Sequence, residues 1–180
     1  MDALRRDVPY SVALLVALVG SIGSVYLSVG VGLKACPLCF YQRTAVFLAL
    51  GTLLLGLFAD GFLARGTAAW LTVPACLLGL AVAGWHVYLE TSGTLECPKG
   101  IAGLGTAPVQ SLALFLLLTP PVLLSAWRSS DVGAGRIGVA ALLGVAFAYA
   151  SIKSAPPLPP LPKAAYTDAL VICRPPFKAP

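Results

Sequence analysis

Apolar residues gather into five long runs, at positions 10–31, 40–59, 68–89, 109–127 and 137–152, and nearly all the charges fall between them. A helix crossing a hydrocarbon core about 30 Å thick needs about 20 apolar residues, with about 17 as the lower limit. The first four runs meet that length. The fifth, about 16 residues between Arg136 and Lys153, is marginal. The pattern predicts an all-α membrane protein: a four-helix transmembrane bundle over residues 1–127, a fifth transmembrane helix over 128–153, and a Pro-rich extracytoplasmic tail over 154–180. The first run follows Arg5-Arg6 like a signal peptide, yet it is too long for one and lacks an A-x-A site, so it is expected to stay as the first helix.

Composition agrees. The chain is 58% hydrophobic and 11% charged, with a mean hydropathy of +0.90; a soluble domain cannot cover that much apolar surface with so few charges. The net charge of +5 comes from scattered single residues rather than a basic stripe with aromatics, so nucleic acid is not an expected partner.

Charge also orients the bundle. Lys and Arg at span ends favour the cytoplasm, so Arg5 and Arg6 place the N-terminus inside, with Arg65 and the 128–136 loop on the same side. Lys34, Arg43 and Lys99 remain outside, and Lys153, Lys163, Arg174 and Lys178 oppose the bias if the tail is outside too. Cysteines arbitrate. Five spans put Cys36, Cys39, Cys97 and Cys173 on the outer face, whereas four leave Cys173 in the reducing cytoplasm. Disulfides persist outside and rarely inside, which favours five spans. Cys76, two residues after Pro74 in mid-helix, reads as a small packing residue.

The chemistry concentrates at Cys36-Pro37-Leu38-Cys39-Phe40-Tyr41-Gln42-Arg43. Proline suits the first turn of a helix, because its missing N–H has no partner there anyway. Cys36 is therefore expected to cap the second helix, where free amides and the helix dipole stabilise a thiolate. Positions 36, 39 and 43 share one helical face. An arginine at the membrane edge is costly; it either snorkels to lipid phosphate or serves the sulfurs beside it, favouring a thiolate and a negative oxygen on a bound reduced ring. Zinc would need two more ligands, which Cys97 and His86 could supply, but no second CxxC or HxxxH accompanies them. A metal-transport site lacks further ligating groups within the spans. No metal is expected.

CPLCFYQR resembles the C-x-L-C-x-Y-x-R signature of the disulfide bond formation protein B (DsbB) family, and the resemblance extends over roughly residues 8–125. It implies a four-helix enzyme of the bacterial inner membrane that takes electrons from an extracytoplasmic, thioredoxin-like thiol oxidase and passes them to ubiquinone or menaquinone in the lipid pool. By the same resemblance Cys36 and Cys39 are the quinone-proximal pair, with Cys39 facing the ring, and Arg43 is the quinone-site arginine. His86-Val87-Tyr88-Leu89-Glu90 is similar to the family's H-x-x-L-Q stretch, which implies that His86 and Glu90 also bind the quinone. Glu90 stands in place of the glutamine. Read without the family, His86 between Trp85 and Tyr88 fits an interfacial aromatic belt equally well.

The departure lies in the second cysteine pair, which the family carries in the loop between helices three and four. Here that loop, about 90–108, holds only Cys97. Cys173 is the remaining candidate. Prolines at 156, 157, 159, 160 and 162 are expected to form a stiff polyproline spacer, the start of an arm that carries Cys173 across the outer face to Cys97. The alternative is a disordered tail with an incidental cysteine. A protein resembling vitamin K epoxide reductase is the enzyme rival, although in that family the CxxC lies in a late helix. A non-catalytic scaffold with stapled loops, or a metal-binding module, is the rival from other classes.

Overall fold

The computed structural model describes residues 2–58, 64–129, 134–157, 159–162 and 164–177. Positions 130–133 of the fourth connecting loop, and Leu158, Lys163 and Lys178 of the tail, lie outside them, as do the side chains of Arg5, Arg6 and Arg136. Among the described residues the chain forms five α-helices: α1 Asp2–Val29, α2 Pro37–Phe58, α3 Arg65–Thr91, α4 Ala107–Arg128 and α5 Ala134–Ser154. Four of these are long and apolar enough to cross a membrane. The all-helical membrane bundle expected from the apolar runs is the observed architecture.

Local chemistry sets the helix ends near the cysteines. Pro37 opens α2, and Cys36 accepts from the Cys39 amide on Sγ at 3.2 Å and from the Phe40 amide on its carbonyl at 2.9 Å, as an N-cap residue does. At the other end of the hairpin, α3 closes on Gly93, whose φ of 69° suits a residue without Cβ. Pro108 sits in the first turn of α4.

α3 is the central helix, packed along α2, α4 and α5, while α1 lies against α4 and α2. Between lipid-soluble helices close approach replaces the hydrophobic drive, so small residues line the contacts. Ala13 and Ala17 of α1, Ala45 and Ala49 of α2, and Ala68, Ala69 and Ala83 of α3 are buried with Phe115, Leu118 and Val122 of α4. A Cβ at Gly79 would overlap the Phe115 ring, so that glycine sets the α3–α4 distance. Cys76 is fully buried in this core, the packing place expected for it.

α5 docks on α3 through Gly144, where a Cβ would come within 2.8 Å of Leu77 Cβ and 3.1 Å of the Pro74 carbonyl oxygen. It runs so that its last turn reaches the start of α2: the Tyr41 and Ser154 hydroxyls are 3.5 Å apart. The tail therefore leaves at the end of the bundle that carries Cys36, Cys39 and Cys97. Its final strand-like segment lies between two loops. Val171 accepts from the Lys34 amide at 2.8 Å, and Arg174 forms an antiparallel bridge with Glu96, with N···O distances of 2.8 and 3.0 Å. The Arg174 guanidinium adds an ion pair to Glu96 at 2.7 Å and stacks 3.6 Å over the Tyr166 ring.

Candidate active site

The folded tail brings four cysteines to one place. Cys97 and Cys173 are joined as a disulfide across 76 residues of sequence. Cys36 and Cys39, one helical turn apart at the start of α2, have their sulfurs 2.6 Å from one another. The Cys173 sulfur lies within 4.8 Å of both Cys36 and Cys39 sulfurs and of a ring nitrogen of His86. Leu38, Val82, Leu89, Ile152 and Ile172 pack around the group.

His86 stands between the two pairs. Its Nε2 is 3.5 Å from Cys97 Sγ and 3.8 Å from Cys36 Sγ. Its Nδ1 is 3.2 Å from Nε2 of the buried Gln42. A Gln42 amide donating to Nδ1 leaves the ring proton on Nε2, aimed at the sulfurs. The ring is 0% exposed, whereas its neighbours Trp85 and Tyr88 are 39% and 58% exposed and stack on each other. The aromatic-belt reading thus suits those two and fails for His86, because α3 turns its histidine inward.

Cys36 is the sulfur best placed to carry charge. Hydrogen bonding from the Cys39 thiol holds its thiol well below the ordinary value, against the opposing effect of burial; His86 and the Cys39 amide lower it further.

Beside Cys39 a cavity of about 220 Å³ opens between α1, α2 and α4. Leu27, Val46, Leu114 and Phe115 supply apolar walls, while Arg43, Gln42, Gln110 and Lys34 supply polar edges. Arg43 does not snorkel outward. Its guanidinium donates to the Ser24 hydroxyl and carbonyl at 2.9 Å each and to the Ser28 hydroxyl at 2.5 Å. Those contacts fix a cation in the cavity wall on the Cys39 side.

His86 and Glu90, expected from the sequence at the same quinone site as Arg43, are not among the residues lining this cavity. The inward turn of α3 gives His86 to the sulfurs. Glu90 lies one turn further on and accepts from the Thr106 hydroxyl at 2.8 Å, tying the end of α3 to the start of α4. Gln42, Ser24 and Ser28 are contacts that sequence reasoning missed. Ser24 and Ser28, four residues apart and so on one face of the apolar part of α1, were the available signal for the last two.

A family model described as "Disulfide bond formation protein DsbB" matches residues 6–115. "Disulfide bond formation protein B" of Herminiimonas arsenicoxydans is 38% identical over 117 residues, covering 62% of this chain and 71% of that protein. The protein of the same name from Chromohalobacter salexigens is 43% identical over 75 residues, 41% of this chain and 44% of its own. No solved structure matches the chain. The matched segment contains Cys36, Cys39, Arg43, His86 and Cys97 and ends before α5 and the tail. The chain belongs to the DsbB family, and with it is a multi-pass membrane oxidoreductase of disulfide-bond formation.

Proposed function

We propose that this protein reoxidises an extracytoplasmic, thioredoxin-like thiol oxidase and passes the electrons to ubiquinone or menaquinone in the bacterial plasma membrane. The observation that carries the reading is the Cys97–Cys173 disulfide held against the Cys36–Cys39 pair, with a cationic cavity that Cys39 and Cys173 both line. Two cysteine pairs in reach of one another and of a membrane cavity suit a relay from protein partner to membrane.

The cavity beside Cys39 fits a quinone ring. It is apolar along its length, as a lipid-soluble ring requires, and carries a fixed cation where negative charge would develop on a ring oxygen. Arg43, with Ser111 across the cavity, would hold the ring, while the Gln110 amide is taken up by the backbone of Ile101 and Leu104. A bound quinone supplies a two-electron acceptor. Arg43 contributes charge without rearrangement, because Ser24 and Ser28 already orient it. His86 and Glu90 are left out of this ring site.

The thiol steps belong to the chain's own residues. A partner thiolate attacks one sulfur of Cys97–Cys173 and the other departs as a thiolate. That thiolate attacks Cys36, and the Cys36–Cys39 bond breaks with its electron pair on Cys39. The partner's second thiolate releases the remaining member of the outer pair, which then re-forms Cys97–Cys173 and frees Cys36. The partner has lost two electrons, and Cys36 and Cys39 hold them. His86 Nε2–H, near both Cys36 and Cys97, stabilises those two sulfurs whenever either departs. Exchange runs toward the more oxidising pair, at about 30 mV per 1.4 kcal/mol.

For the relay to cross to an outer-face partner, α5 must span the membrane. The apolar part of α5, Gly138–Ser154, extends about 26 Å at about 1.5 Å per residue, a few Å short of a core about 30 Å thick, a mismatch that local thinning of the bilayer covers. Its outer side, with Leu142, Val145, Phe147 and Tyr149 exposed, is as apolar as the lipid-facing side of α1.

Quinone-loaded protein given a reduced thioredoxin-like partner should reduce its quinone, and Cys39→Ser should abolish this. Undiminished turnover in that variant would sink the assignment. Cys173→Ser should block oxidation of the partner while leaving quinone reduction by a small dithiol, which can reach Cys36–Cys39 directly.

A further inference from the structure

Three of these cysteines and His86 have a second capacity, which appears only when both disulfides are open. We propose that the fully reduced protein binds one thiophilic divalent cation of the Zn²⁺ class through Cys36, Cys39, Cys173 and His86. The inference rests on the proposed relay only in that partner dithiols are what generate this reduced state in the membrane.

Geometry carries it. The three sulfurs and one imidazole nitrogen lie within 4.8 Å of one another. Zn–S bonds of about 2.3 Å set tetrahedral donor separations of about 3.8 Å, so the widest donor pair needs to close by about 1 Å and the Cys36 and Cys39 sulfurs, now 2.6 Å apart, to open by about 1.2 Å. His86 Nε2 is already 3.8 Å from Cys36 Sγ. Cys36 and Cys39 have the C-x2-C spacing that structural zinc sites use for two ligands. The surroundings suit the ion as well. Three thiolates more than balance a dication, and Val82, Leu89 and Ile172 give the ion apolar surroundings. A histidine bound through Nε2 carries its proton on Nδ1, and the Gln42 amide 3.2 Å away can turn its oxygen to accept it.

Oxidation closes the site. In the Cys97–Cys173 and Cys36–Cys39 disulfides none of these sulfurs is a thiolate, so the ion loses three of four ligands. Binding converts three thiols to metal-bound thiolates and releases three protons, with no change of oxidation state. A thiolate held by the metal is no longer a nucleophile. The ion therefore arrests the reduced enzyme, and a chelator frees it.

Cobalt(II) is the probe. The full chain in detergent, reduced with a phosphine and freed of reductant without air, should bind one Co²⁺ with the intense visible bands of a tetrahedral thiolate site. Oxidised protein should show none at the same concentration, and Zn²⁺ should displace the cobalt. Gln42→Leu should weaken binding by about 10–100-fold, whereas Cys76→Ala, remote from the site, should leave it unchanged. Reduced protein without tetrahedral bands would overturn the proposal, as would bands undiminished in Cys173→Ser. Electron transfer measured in metal-free reduced protein separates the two readings: if it proceeds and cobalt does not bind, only the metal site falls.

Discussion

Cys36 serves two ends with one side chain. Its sulfur accepts the Cys39 amide at the start of α2, a structural cap, and it is also the atom nearest His86 in the inner pair. The cap was legible in the sequence from Pro37, because proline marks a first helical turn. His86 was harder to read. Its family position suggested the quinone, and its neighbours suggested the membrane interface. Which way it points depends on the rotation of α3, which the spacing of Trp85, His86 and Tyr88 alone does not reveal. Placed between the pairs, it makes a sharp prediction. His86→Asn should slow electron passage from the outer to the inner pair by about 100-fold, within the usual range for a lost acid–base group. Rapid thiol trapping after mixing with reduced partner would measure this. Reduction of Cys36–Cys39 at the unaltered rate would refute it.

Among elements, α5 and the arm beyond it account for the largest difference between this chain and the segment its family model matches. The sequence exposed the need for them through a count: one cysteine in the 90–108 loop and one more in the tail. The way the arm is fastened was not legible, since Glu96 and Arg174 are far apart in sequence and nothing local pairs them. Two variants separate the fastenings. The Glu96–Arg174 ion pair is partly solvated, so Glu96→Gln should cost less than about 1 kcal/mol and leave the disulfide intact. Gly144→Leu forces a side chain into the backbone of Pro74, an overpacking worth about 1–3 kcal/mol. It should lift α5 from α3 and raise the fraction of Cys97 and Cys173 that a thiol reagent captures. Equal disulfide content in the two variants would show that α5 does not position the tail.

At the scale of the whole molecule, sidedness decides whether this arrangement can work. The four-helix core was plain from the apolar runs, because each is as long as a bilayer is thick. The fifth run fell just short, and length alone could not settle it. The structure adds that residues 134–154 form one helix whose end, next to Tyr41, shares a side of the bundle with the redox cysteines. If that helix crosses the membrane, the 129 and 168 positions face opposite compartments. In intact cells a membrane-impermeant thiol reagent should therefore label Asp168→Cys, at an exposed tail position, and spare Ser129→Cys at the end of α4. Opening the membrane should then admit label to Ser129→Cys as well. A tail that is shielded until the membrane opens would place Cys173 in the cytoplasm, and the outer pair would then have no oxidising compartment in which to form. Labelling of 168 alone would put all four clustered cysteines on the face where the proposed thioredoxin-like partner would meet them.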